Sequence, residues 1–161
     1  YREYAREQGL TVYADIADLA GAGEDAFDLV SMAHVLEHMP DPVGYLAKLR
    51  QKTLNLSGWL LIEVPNLYSH ESFEIAHMTS FSTHSLQQVL QQAGYRVVAL
   101  KKHGQPRSDM LPLYLTALAQ PRDSEFRLEP ERNVALKRRL GMVWRRLLLK
   151  FMPERAWNSV Q

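Results

Sequence analysis

Phe27-Asp-Leu-Val-Ser31-Met-Ala-His34-Val-Leu-Glu37-His38-Met-Pro-Asp41-Pro42 carries most of the structural information in this 161-residue chain. Phe27 to Ser31 is almost continuously apolar, as expected of a buried strand. His34 to His38 then reads as one helical turn, which Pro40 stops. Asp41 is placed to cap a new helix, with Pro42 at the first helical position, where a missing N–H costs nothing. That helix runs to about Leu54, its Val43, Leu46, Ala47 and Arg50 falling at helical spacing.

Downstream, Ser57-Gly58 turns the chain into a central strand, Trp59 to Val64, stopped by Pro65. Asn66 to Met78 is irregular and polar. Thr83 caps a helix through Gln92, with Leu86, Val89, Leu90 and Ala93 inward and Gly94 as its stop. Tyr95 to Leu100 and Leu113 to Ala119 read as strands. Upstream, Arg2 to Gln8 is the end of a helix closed by Gly9, and Leu10 to Tyr13 a short strand. Asp15 to Asp18 is a loop, and Gly21-Ala-Gly23 a flexible connection. Strands alternating with helices imply an α/β sandwich with a mainly parallel sheet. The last two strands lack a helix between them, so they should pair antiparallel at one edge.

Composition is that of an ordinary globular chain, 46% hydrophobic and 23% charged. There is no cysteine, which excludes a disulfide framework, a thiol nucleophile and a Cys-ligated metal. No apolar run approaches the roughly 20 residues needed to span a bilayer, and the first residues lack the apolar core of a signal peptide. A cytoplasmic location is therefore expected. The chain opens at Tyr1 without an initiator Met, inside what reads as a helix, and we expect a piece of a longer protein. Residues 1–120 carry 9 Lys/Arg against 13 Asp/Glu, and residues 121–161 carry 10 against 5. An acidic body with a basic tail gives no support for a nucleic-acid partner.

In open parallel sheets, ligands bind beyond the carboxyl ends of the strands. Asp15 and Ile16, Ser31 to His34, and Pro65 to Tyr68 fall at such ends. The string His34-x-x-Glu37-His38 also matches a zinc-protease motif, two His sharing a helix face with a Glu as base. A strand ends just before it and Pro40 follows just after, so the stable helix that motif needs is missing.

The segment from Phe27 to Pro42 resembles the one that follows the fourth strand of class I S-adenosylmethionine-dependent methyltransferases. Asp15-Ile-Ala-Asp-Leu19 resembles the acidic loop after their third strand. Gly58-Trp-Leu-Leu-Ile-Glu-Val-Pro-Asn66 resembles their fifth strand. His77-Met-Thr-Ser-Phe-Ser-Thr-His-Ser-Leu86, running on to Tyr95, resembles their last crossover helix. The four segments occur in the family's order and cover roughly residues 1–120. The resemblance implies a Rossmann-like sheet, truncated at the N-terminus, with S-adenosylmethionine as cofactor. The family's glycine-rich loop and its first two strands have no counterpart here, so the chain is expected to be inactive alone.

By that resemblance, Asp15 accepts a hydrogen bond from the adenine amino group and the Ile16 amide meets the ring. Ser31 and Met32 border the cofactor's sulfonium end. His38 is the preferred general base, the alternative being that Glu37 and His38 buttress the loop. Asn66, Tyr68 and His77 are candidate substrate contacts. His34, Glu37 and His38 loosely resemble a metal-binding trio of some family O-methyltransferases, which have Glu where His34 stands. We expect no metal. The acceptor expected is a small molecule or sugar.

Residues 121–161 lie outside the resemblance and form a basic extension to the partial methyltransferase domain at 1–120. Asn133 to Met152 holds six basic residues and no acid. Leu136, Leu140, Val143, Trp144, Leu147, Leu148 and Phe151 recur there at helical spacing. We favour a helix packed back on its own domain. The alternative is a non-catalytic module that meets a membrane surface or a protein partner through residues 133–152.

Overall fold

The structure is a computed structural model that describes residues 1–21, 26–71, 75–122 and 127–157. Strands β1 (Phe27–Ala33), β2 (Leu54–Pro65), β3 (Tyr95–His103) and β4 (Tyr114–Pro121) form one sheet in the order β1-β2-β4-β3. β1 runs parallel to β2, and β4 runs antiparallel to both β2 and β3. The antiparallel strand thus lies one place in from the edge, with β3 outside it. The helices are α1 (Arg2–Glu7), α2 (Ile16–Gly21), α3 (Pro42–Lys52), α4 (Thr83–Gln92), α5 (Val134–Phe151) and α6 (Pro153–Ala156).

Local signals set several of these boundaries. The Asp41 carboxylate accepts from the Gly44 N–H at 2.9 Å, capping α3 as expected. α4 is capped by Ser82 rather than Thr83, because Ser82 and Ser85 satisfy each other's backbone N–H groups in a capping box. Gly9 and Gly94 stop their helices at left-handed φ of 81° and 85°.

α3 and α4 pack on one face of the sheet. Leu60, Ile62 and Val64 of β2 point into a core with Leu46, Leu49, Leu86, Leu90 and Tyr95. The alternate residues Leu61 and Glu63 keep partial exposure, the period-two pattern of a sheet covered on one side. The α/β sheet with helices packed on it is as expected, whereas the expectation of a fully buried β1 is corrected. Leu29 is 57% exposed, because with Ser31 and Ala33 it lies on the face of β1 away from the core that Val30 and Met32 join. Residues 10–13 form no strand, since they have no ladder partner there. The expected loop at Asp15 to Asp18 is mostly helix α2, and the 21–23 connection falls outside the described residues after Gly21.

α5 packs back on the body, but not through its apolar stripe. Arg138 donates to the Leu67 and Glu71 carbonyls at 2.6 and 3.1 Å, and Arg145 to the Ser69 carbonyl at 2.9 Å. Between them a Cβ on Gly141 would lie 2.1 Å from the Tyr68 carbonyl oxygen, so only glycine allows so close an approach. Leu148 and Ala156 complete the contact in a small second core with Leu111, Leu113 and Tyr114.

Glu131, just before α5, ties three elements together. It accepts from Tyr68 Oη at 2.7 Å, from the Ser82 hydroxyl and from Lys137 Nζ at 2.9 Å. Burial opposes its charge, yet those hydrogen bonds and the Lys137 charge hold its pKa down at about 2, against an ordinary 4.5. Its stabilising contribution is therefore complete above about pH 4.5 and lost as pH falls towards about 2. Glu131→Gln should cost about 2 kcal/mol at neutral pH and flatten the acid limb of stability across that window, read by urea unfolding at stepped pH.

Candidate active site

Three chain reversals bring the carboxyl end of the sheet together. β1 ends at Ala33 and β2 at Pro65, and the antiparallel β4 starts at Tyr114, opposite both Pro65 and His103. A cavity of about 270 Å³ opens there, lined by His34, Glu37, His38, Pro65, His70, His77, Arg107 and Tyr114. It is small for a ligand site and dominated by imidazoles.

His34 leaves β1 in a left-handed conformation, φ 55°, uncommon for a residue other than glycine although His is among those that adopt it most. Its backbone N–H is fixed by the Glu63 carbonyl at 3.0 Å. Its ring stands edge-on to Tyr114, centroids 5.2 Å apart. Its two nitrogens approach two carboxylates, Nδ1 to Glu37 and Nε2 to Glu63, each at 3.4 Å. Glu63 also accepts from Thr116 at 3.1 Å and lies 3.2 Å from His103 Nε2.

Glu37 is the unusual member. It is 1% exposed, and neither carboxylate oxygen has a hydrogen-bond partner. His34 Nδ1 stands 3.4 Å away without making a hydrogen bond to it. The 3₁₀ turn Leu36–His38 buries Glu37 while presenting His38 to the cavity.

His38 has its tautomer set by geometry. Nδ1 lies 2.9 Å from the Ala76 carbonyl oxygen, which can only accept, so Nδ1 carries the proton. In the neutral ring the lone pair then sits on Nε2. His77 stacks edge-on against this ring at 4.8 Å. Ligand atoms of Glu37, His38 and His77 lie within 4.8 Å of one another, a set that differs from the sequence trio by having His77 in place of His34.

Of the expected substrate contacts, His77 joins His38 at the cavity and the other two do not. Asn66 is buried; its amide donates to the Pro112 carbonyl at 2.7 Å and accepts from the Tyr68 N–H at 3.2 Å. Tyr68 faces Glu131 instead, and burial, then that carboxylate, push its hydroxyl up to about 12. Sequence reasoning passed over Glu63, His70, His103, Arg107 and Tyr114. Glu63 alone left a trace, as an acid inside an otherwise apolar strand.

The expected adenine-end residues lie in a separate recess. Tyr13, Ala14, Asp15, Ile16, Leu19 and Tyr45 line about 290 Å³. Burial, then the Asp15 charge, raise the Tyr45 hydroxyl's pKa. Ser31 and Met32 do not border it. Ser31 is exposed on β1, and Met32 sits in the main core at 7% exposure. The residues present thus suit the adenine end of a nucleoside cofactor and do not enclose its other end.

One-sided helices on a mixed sheet, with the polar cavity beyond its parallel strands, define a Rossmann-like α/β domain. A family profile described as a methyltransferase domain matches residues 3–100, more than half of the chain. The chain belongs to the class I S-adenosylmethionine-dependent methyltransferase family. A methyltransferase of that kind from Clostridium acetobutylicum is 12% identical at a TM-score of 0.53, covering 74% of this chain and 69% of that one. One from Archaeoglobus fulgidus is 17% identical at 0.53, covering 68% and 66%. The 1,6-didemethyltoxoflavin-N1-methyltransferase of Burkholderia thailandensis, with that substrate and S-adenosylhomocysteine bound, is 24% identical at 0.50, covering 75% and 65%. The chain spans about half the length of other matching structures, 45% of one and 55% of another. Among curated proteins nothing matches.

A buried carboxylate without hydrogen bonds costs stability that a site retains for function. Glu37→Leu should therefore raise unfolding free energy by about 1–3 kcal/mol, measured by urea denaturation. A fall would show that the carboxylate is satisfied in solution.

Proposed function

We propose that this chain forms the acceptor side of a methyltransferase that transfers a methyl group from S-adenosylmethionine to a small-molecule or sugar-type acceptor. The observation that carries this reading is His38. Its Nδ1 is pinned by the Ala76 carbonyl, which leaves Nε2 as the proton acceptor in an imidazole-lined cavity. The cavity's size argues for a compact acceptor group rather than a polymer lying across the surface.

The chain's own residues divide the work. His38 takes the proton from the acceptor's hydroxyl or amine. His77, edge-on to its ring, limits the directions that ring can take. Glu37, buried in the same 3₁₀ turn, sets a carboxyl group within 4.8 Å of the ligand atoms of His38 and His77. Tyr114 and His34 close the wall opposite. S-adenosylmethionine, with its adenine end against Asp15 and Ile16, would supply the methyl group. Among the described residues no strand pairs with the outer edge of β1, next to Ser31, which is why we expect the chain alone not to hold it.

Two measurements test this. S-adenosylhomocysteine should bind the full product of the reading frame and not this chain, read by calorimetric titration; binding by neither, with both folded, sinks the methyltransferase reading. In the full product, His38→Asn should lower the transfer rate about 100- to 10,000-fold and leave S-adenosylhomocysteine affinity unchanged. An unaltered rate would reduce His38 to a buttress of its loop.

A further inference from the structure

α5 is amphipathic, and it is docked with its apolar side outward. Arg138, Gly141, Arg145 and Leu148 recur on the face that meets the body. At 100° per residue, Leu136, Leu140, Val143, Trp144, Leu147 and Phe151 form a separate stripe centred about 130° around the helix from that face. All six are exposed, between 44% for Leu147 and 69% for Phe151. A row of cations, Arg139, Arg146 and Lys150, follows one flank of this stripe, and all three are exposed. No acidic residue lies between Asn133 and Met152.

We propose that this face of α5 docks the protein on an anionic lipid surface. The helix axis would lie in the membrane plane, with the Leu, Trp and Phe side chains in the acyl boundary and the cation row at the headgroups. A large apolar stripe bordered by Lys and Arg, with aromatic residues at its margin, is the arrangement that such a surface binds. Charge complementarity selects this occupant. A second copy laid face to face would bring two cation rows together, with no acid on either helix to pair them. An anionic bilayer neutralises that row, at an energy that falls with salt. Insertion also leaves the body intact, because the polar contacts that hold α5 lie on its other face. The helix does not cross the bilayer, and no described helix is long and apolar enough to do so.

The test is vesicle flotation of the chain with phosphatidylcholine alone and with an equal mixture of phosphatidylcholine and phosphatidylserine. Flotation with the mixed vesicles only, lost at high salt, is expected. The double variant Trp144→Ser/Phe151→Ser should no longer float; both positions are exposed, so its urea midpoint should match the parent. The triple variant Arg139→Gln/Arg146→Gln/Lys150→Gln should bind on the order of a hundredfold more weakly. Failure to float, or equal flotation with neutral vesicles, overturns the proposal. So does a dimer that needs Trp144 and Phe151 and excludes vesicles, since a second copy would then cover the stripe. None of these readouts depends on methyl transfer, so the proposal and the catalytic reading fail separately.

Discussion

The active end of this protein is arranged around the point where β2 stops. β2 has strands on both sides, and its ladder runs in register to Pro65 opposite Tyr114. Proline ends the N–H donation, and Asn66 takes over at once. The Asn66 N–H donates to the Leu113 carbonyl, its side chain to the Pro112 carbonyl, and its own carbonyl accepts from Ser69 and His70. A single buried amide therefore fixes the loop that turns back over the sheet. That loop provides His70 to the cavity and the carbonyls on which α5 rests. Pro65 forms part of the cavity lining, and Tyr114 stands beside it as the post around which three histidines gather.

Much of this was legible where a local rule acts on neighbours in sequence. Asp41-Pro42 signals a helix start because capping needs only the next three residues, and the apolar spacing of α4 finds its buried face. Leu10 to Tyr13 has strand composition and forms no strand, because composition does not supply a ladder partner. Ser82 wins the cap from Thr83 through a hydroxyl three residues further on. The site was half visible. His38 and His77 are 39 positions apart and meet only because the chain folds Ala76 onto the His38 ring. Tyr114 reaches the cavity through the antiparallel return of β4, which no short window can contain. Asn66 attracted attention as a polar residue at a strand end, the right place for a ligand contact, but the loop itself consumes its hydrogen bonds.

The helical period of α5 was equally plain, and its direction was not. Periodicity says which residues share a face, whereas which face meets the body depends on what the body offers. Here the body offers backbone carbonyls from Leu67 to Glu71, and arginines satisfy them better than leucines do. Leu148 shows the division, since it belongs to the apolar series in sequence yet lies on the docked side.

Anchoring a helix through main-chain oxygens has a consequence for how the protein tolerates change. The carbonyls of Leu67, Ser69 and Glu71 are present whatever side chains those positions carry, so these three contacts do not themselves depend on side-chain identity in the loop. The restriction falls on the other partner, where Gly141 admits no replacement and Arg138 and Arg145 must keep their reach. Variation across homologues should therefore be lopsided at this seam, looser at positions 67 and 71 than along the docked stripe of the helix.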